Sequence, residues 1–293
     1  MSYFHVRTVI GEPDPDLRAK ARHALEGLGF AEICDAPSLA KAHQILRREG
    51  ADLLFLNMSA EEGDAISLVE QIRSGRLTKD PFPIVIALIE EAAAALVKRI
   101  ACSGVDDALI KPFSDEALIA KIEGLSNGRK PFIVTFDYIG PERRAAPRQG
   151  MTSARQIDVP NPLAMRDGEE GRDGYAASRD HARGQLEQER ILRLGAQMEW
   201  LAAKLSDPSL TETDKLTRLL DIEWAGKELI GRIGASSQEQ LLRQLISQSQ
   251  KLRKSEQVVP VAVLEKFHEA MKLMVRTLPS AGGLSVPFLA RPD

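Results

Sequence analysis

The sequence predicts an α/β domain, built as a doubly wound five-stranded parallel sheet, followed by a separate all-α helical bundle. Short apolar runs at Val6 to Gly11, Ala31 to Cys34, Leu53 to Leu56, Pro83 to Leu88 and Ala108 to Ile110 alternate with helix-spaced segments over roughly the first 125 residues. The third and fourth runs are continuously apolar, as suits strands buried on both faces of a parallel sheet. Beyond Asp180 strand signals stop, and apolar residues recur at spacings of three and four.

The elements follow in order. Leu17 to Leu28 carries Leu17, Ala21, Ala24, Leu25 and Leu28 at helical spacing, and Gly29 can stop that helix. Ser38 is placed to cap a second helix running to Arg48. Further helices are predicted over Asp64 to Arg73, Glu91 to Ser103 and Ser114 to Leu125. A parallel crossover requires a helix or its equivalent, so this alternation implies parallel strands with helices on both faces. Ligand chemistry in such a sheet belongs at the carboxyl ends of the strands.

Three strand ends carry a resemblance: Asp14-Pro15-Asp16-Leu17-Arg18, the tract ending at Asn57, and Gly104-Val105-Asp106-Asp107-Ala108-Leu109-Ile110-Lys111-Pro112-Phe113. With them, residues 1–127 resemble the receiver domain of two-component response regulators, a flavodoxin-like fold. The resemblance implies that Lys111 is the lysine that contacts a phosphoryl group and that Pro112 follows a cis peptide bond. It places the phosphoacceptor at Asn57, the acidic metal pocket at Glu12 and Pro13 with Asp14 beyond them, the hydroxyl switch at Ile89 and the aromatic switch at Ala108.

Four of those positions lack the chemistry. A carboxamide at 57 is a poor phosphoryl acceptor and a weak ligand for a hard cation. Pro13 removes one carboxylate, Ile89 has no hydroxyl and Ala108 has no ring. The chain therefore reads as a degenerate pseudo-receiver, needing no cofactor or metal, that works as a protein-binding adaptor or scaffold and not as an enzyme. Lys111 is then kept mainly for structure, bonded to Glu12 or Asn57. The alternative is an active phosphorelay component using Glu12, Asp14, His181 or His268, and a third reading is transcriptional regulation through the helical region. Outside the receiver-like part there is no glycine-rich phosphate loop, no metal-ligand cluster and no nucleophile paired with a base.

The resemblance also implies partners: a histidine kinase, a phosphotransfer protein or another response regulator, engaged through the first helix or through the face from Glu91 to Leu125. The Ala92-Ala93-Ala94-Ala95 tract on that face would admit a second helix closely, or simply favour helix formation. A homodimer is one expected assembly.

Residues 128–180 read as a connector with a short strand, Phe132 to Phe136, and a flexible, charge-balanced tether rich in Gly and Pro. Ile157 to Leu163 looks like a companion to that strand. Arg143 and Arg144 are candidate contacts for a carboxylate or phosphate on a partner, each able to bind in bidentate fashion. Residues 181–279 read as the bundle, with seams at Ile191, Leu194, Met198, Leu201 and Leu205, then Leu216, Leu219, Ile222, Leu229 and Ile233. Leu242, Leu245 and Leu252 mark a third helix, and Leu264, Phe267, Met271, Met274 and Leu278 a fourth that Pro260 opens. Trp200 and Trp224 are expected as core or interface anchors. Residues 280–293 form a tail.

Composition sets the outer limits. A formal net charge of −3 and pI near 6.0 argue against binding nucleic acid or anionic lipid through bulk charge. Cys34 and Cys102 are too few for a disulfide framework, and two buried thiols are expected. No run approaches the ~20 apolar residues of a membrane span, so a cytoplasmic location is expected.

Overall fold

Strands β1 (Thr8–Gly11), β2 (Ile33–Ala36), β3 (Leu53–Asn57), β4 (Ile84–Ile89) and β5 (Asp107–Ile110) pair in parallel, in the order β2-β1-β3-β4-β5. This is the predicted fold. The order reverses between β1 and β3, and a crevice opens at the carboxyl ends of strands where that happens. The computed structural model describes residues 3–58, 64–90, 94–143, 154–165, 169–233, 237–255 and 259–278. It divides into two units: Met1–Ile133 with Asp137–Ala146 and Ala154–Gly184, and Val134–Phe136 with Pro147–Ser153 and Gln185–Asp293.

Alternation along the strands builds two layers in the first unit. Ile10, Phe55 and Ile86 face α1 (Pro15–Gly27) and α5 (Asp115–Asn127), packing with Leu25, Leu118 and Ile122. Val9, Leu54 and Val85 face the other side, where α2 (Leu39–Glu49), α3 (Ala65–Arg73) and α4 (Ala94–Ser103) contribute Leu46, Val69, Ile72 and Ile100. Every residue of β3 and β4 is buried. Each such Leu, Ile or Phe contributes about 1.5–3 kcal/mol through burial. The helix starts are written locally: Asp14 Oδ1 accepts from the N–H groups of Asp16 and Leu17, and Ser38, Asp64 and Ser114 cap the next described starts in the same way. Gly29 turns the chain out of α1 at φ 89°.

The connector differs from its composition. Strand β6 (Phe132–Val134) pairs with β7 (Ile139–Pro141), and Ile157 forms an antiparallel bridge with Phe132. Leu163 is buried among α1 and α5 residues, and Asn161 Nδ2 donates to the Leu125 carbonyl at 2.7 Å. A few well-placed side chains thus order a segment whose average composition predicts a tether. A buried ionic clamp fixes its root. Asp106 Oδ2 accepts from Arg73 Nη2 at 2.7 Å, and its Oδ1 accepts from Arg129 Nε at 2.9 Å. Arg73 also donates to the carbonyls of Gly104, Pro81 and Pro83, and Arg129 to those of Phe82 and Pro160. Both guanidinium groups face the Phe132 ring, at 5.0 and 5.1 Å from its centroid. Burial pushes the Arg73 pKa down to about 10, with the Asp106 carboxylate opposing the shift.

Helix α6 (Glu169–Lys204) begins inside the predicted tether. In the second unit, the later part of α6 packs with α7 (Glu212–Ile233), α8 (Ser237–Arg253) and α9 (Val261–Thr277). The predicted seams line that core, Met198, Ile222, Leu242 and Met271 being fully buried. Gly226 does not break α7; an added Cβ would lie 2.8 Å from Ile246 Cδ1, so the missing side chain lets α8 approach. Two expectations fail here. Leu216 is exposed and does not join the seam. Trp224, expected in the core or at an interface, is exposed and meets Phe136 edge-on at 5.6 Å, which sets aside the core reading but not the interface one. Cys34, on the edge strand β2, is only partly buried against the core, and Cys102 is exposed. Arg144, Ala92, Ala93 and the tail 280–293 lie outside the described residues.

Candidate functional site

Gly11 pairs with Leu56, so the next residues, Glu12 and Asn57, leave adjacent strands side by side at the switch point. Lys111 arrives from the end of β5, followed by a cis bond to Pro112, as predicted. The three side chains meet. Lys111 Nζ donates to Glu12 Oε2 at 3.1 Å and to the Asn57 amide oxygen at 3.2 Å. Glu12 is 1% and the Lys111 side chain 7% exposed. A third acceptor, Glu90 Oε1, stands 3.3 Å from Nζ at the solvent rim.

The rest of the predicted pocket is occupied with other work. Glu12 Oε1 accepts the Asp14 N–H at 3.1 Å, so both oxygens of that carboxylate are engaged. Asp14 is exposed, with one oxygen spent on capping α1. Pro13 offers only its carbonyl, which with that of Glu12 accepts from Arg18 Nη1 at 2.7 and 2.6 Å. Ile89 is buried in the layer of α3 and α4 residues, and Ala108 packs against the same layer. Neither presents a polar atom.

A divalent cation of the kind the resemblance implies takes six oxygen ligands, usually including carboxylates. One carboxylate already paired with an ammonium, one amide and a proline do not fit that need. Among the described residues no group of three or more His, Cys, Asp or Glu side chains is arranged to hold a metal. The predicted residues at 12, 57 and 111 thus come together as a charge-balanced, closed cluster. Positions 13, 14, 89 and 108 sit around it without joining it. Arg143 lies elsewhere, donating from Nη2 to the Val105 carbonyl. His181 is exposed and His268 half-buried, on α6 and α9.

The Arg73, Asp106 and Arg129 clamp escaped the sequence reading, since buried and surface charges are spelled alike. The one available signal was Asp106 directly after the β-turn glycine Gly104 and Val105, in the stretch that ends at Lys111.

Residues 9–123 match the family model for the response regulator receiver domain. The chain is 28% identical over 126 residues to the response regulator MprA of Mycobacterium leprae, an overlap of 43% of this chain and 53% of MprA. It is 26% identical over 125 residues to a probable chemotaxis protein CheY of Rhizobium etli, covering 43% of this chain and 95% of that protein. The chain therefore spans about half of MprA and nearly all of that CheY. Among solved structures, it is similar to chemotaxis response regulator CheY4 of Vibrio cholerae, at 18% identity and TM-score 0.37 over 41% of this chain and 97% of the other. It is also similar to the signal receiver domain of a DNA-binding response regulator from Colwellia psychrerythraea, at 25% identity and TM-score 0.38 over 42% and 99%. The N-terminal part of this chain, residues 9–123, is a response regulator receiver domain.

Proposed function

We propose that the chain is an atypical response regulator whose receiver domain binds protein partners without being phosphorylated, acting as an adaptor or scaffold in two-component signalling. The observation that carries this is the Lys111 ammonium held by Glu12 and by the Asn57 amide oxygen. An amide cannot form the acyl phosphate that a carboxylate would, and the buried carboxylate beside it, Glu12, is paired with the lysine. The partners that suit the domain are a histidine kinase, a phosphotransfer protein or another response regulator. A second copy of the chain is a further option for the helical unit, where Leu216, Leu220 and Trp224 recur every fourth residue and are 42%, 50% and 45% exposed.

The test is competitive phosphotransfer. A histidine kinase of the same organism is charged with labelled phosphate and offered a phosphate-accepting receiver, with and without this protein. The chain should remain unlabelled and should slow labelling of the receiver. Absence of competition with every such kinase, or label on residues 1–125, counts against the adaptor role.

A further inference from the structure

We infer that a cavity between α5 and the segment that follows it is a binding site for a small phosphorylated molecule. The cavity has a volume of about 520 Å³, within the ~300–1,000 Å³ range of small-ligand pockets. Six of its wall residues, Gly124, Leu125, Gly128, Lys130, Pro141 and Arg143, lie beyond the receiver match at residues 9–123. It is thus a separate site from the strand-end cluster around Lys111.

Charge decides the ligand class. The walls carry Lys121, Lys130 and Arg143 together with Asp106 and Asp107. Both carboxylates are already paired with cations. Asp106 is held by Arg73 and Arg129, and Asp107 Oδ1 accepts from Lys121 Nζ at 2.8 Å. Lys130 is exposed, and neither it nor Arg143 forms an ion pair with a carboxylate among the described residues. These two cations, unpaired with any carboxylate among the described residues although Arg143 Nη2 is spent on the Val105 carbonyl, match the two charges of a phosphomonoester, with the guanidinium's remaining N–H groups donating and the ammonium acting as a point charge.

The usual objection to an anion at a helix C-terminus is its exposed carbonyls. Here three of the last four carry donors: Gly128 N–H donates to the Gly124 carbonyl at 3.2 Å, and Asn161 Nδ2 donates to those of Leu125 at 2.7 Å and Ser126 at 3.4 Å. Space for the organic part lies over the glycines. A Cβ added at Gly124 or Gly128 would meet nothing within 4 Å, and Leu125 and Pro141 supply apolar wall.

Isothermal titration of the full chain with adenosine monophosphate, adenosine and inorganic phosphate at low salt tests this site. Saturable one-to-one binding of the monophosphate and of phosphate is expected, with adenosine at least about tenfold weaker and with affinity falling as salt rises. Lys130→Ala should weaken both anions several-fold. Gly124→Trp should abolish nucleotide binding, and Gly128→Trp serves as the second blocking variant should the first unfold. No saturable binding of phosphate or the monophosphate overturns the proposal, as does binding that survives a folded blocking variant.

Discussion

Lys111 donates a hydrogen bond to Asn57 across 3.2 Å, from the end of β5 to the end of β3, while its other buried acceptor is Glu12. In this arrangement the lysine neutralises a buried carboxylate instead of waiting for an incoming anion. Removing it should leave Glu12 charged and unpaired in a nearly closed site. Lys111→Ala is expected to destabilise the receiver domain by about 3–5 kcal/mol, and the double variant Glu12→Gln with Lys111→Met by distinctly less. Scanning calorimetry of both proteins measures the difference. Equal losses would mean that the pair is not coupled.

The clamp at the opposite ends of β4 and β5 makes a stronger demand. Asp106 is 2% exposed and is the carboxylate shared by the equally buried Arg73 and Arg129. Asp106→Asn should cost about 3–5 kcal/mol, since it strands two guanidinium groups with only carbonyl partners. Truncating the chain before Phe132 should cost a similar amount, because the ring that both cations face is lost. Hydrogen exchange of the β4 amides reports both effects. A truncated receiver as stable as the full chain would show the connector to be dispensable.

Two glycines separate conformation from space. Gly104 has φ 98°, and a Cβ there would lie 2.5 Å from the Ile139 carbonyl oxygen and 2.9 Å from Arg73 Cγ. Gly104→Ala should destabilise by about 1–3 kcal/mol. Gly124 lies within α5 with open space around its missing side chain. Gly124→Ala should stabilise by about 0.5–1 kcal/mol through helix propensity. Thermal unfolding of the two variants should give shifts of opposite sign.

Asp52 adds a pH dependence. Burial raises its pKa above the ordinary 3.8, the nearby Asp80 adds to the shift, and the Arg7 N–H, 2.9 Å from Oδ2, opposes it. The folded state therefore binds this proton more tightly than the unfolded chain. Its contribution is full below pH 3.8 and is lost as pH rises through the folded value. At pH 7 the ionised group is a burden, so Asp52→Asn, which keeps an acceptor for Arg7, should be more stable than the parent there. The advantage should vanish in acid. A pH series of melting temperatures checks the sign.

Much of the first unit was legible because apolar runs and caps act locally. Leu53 to Leu56 and Pro83 to Leu88 could be little but interior strands, and Ser38 and Ser114 announced helix starts. The cluster at Glu12, Asn57 and Lys111 was legible by resemblance, since each stands at a strand end. What failed were features that depend on partners distant in sequence. Arg73 reads as an ordinary cation in the last turn of a helix, yet it is among the most buried side chains described. Residues 154–165 average out as tether, yet Ile157 and Leu163 are 1% and 2% exposed. The start of α6 was missed because Glu169 to Gly184 carries glycines and charges with no apolar stripe, and among its described side chains only Ala182 is buried.

Intact-mass spectrometry of the full chain after incubation with acetyl phosphate and Mg²⁺ reads whether the strand-end cluster can take a phosphoryl group. The mass should be unchanged, both for the parent protein and for Lys111→Ala. A hydroxylamine-sensitive increment of one phosphoryl group, mapped to Glu12, Asp14 or any other residue of the receiver domain, would contradict the proposed function.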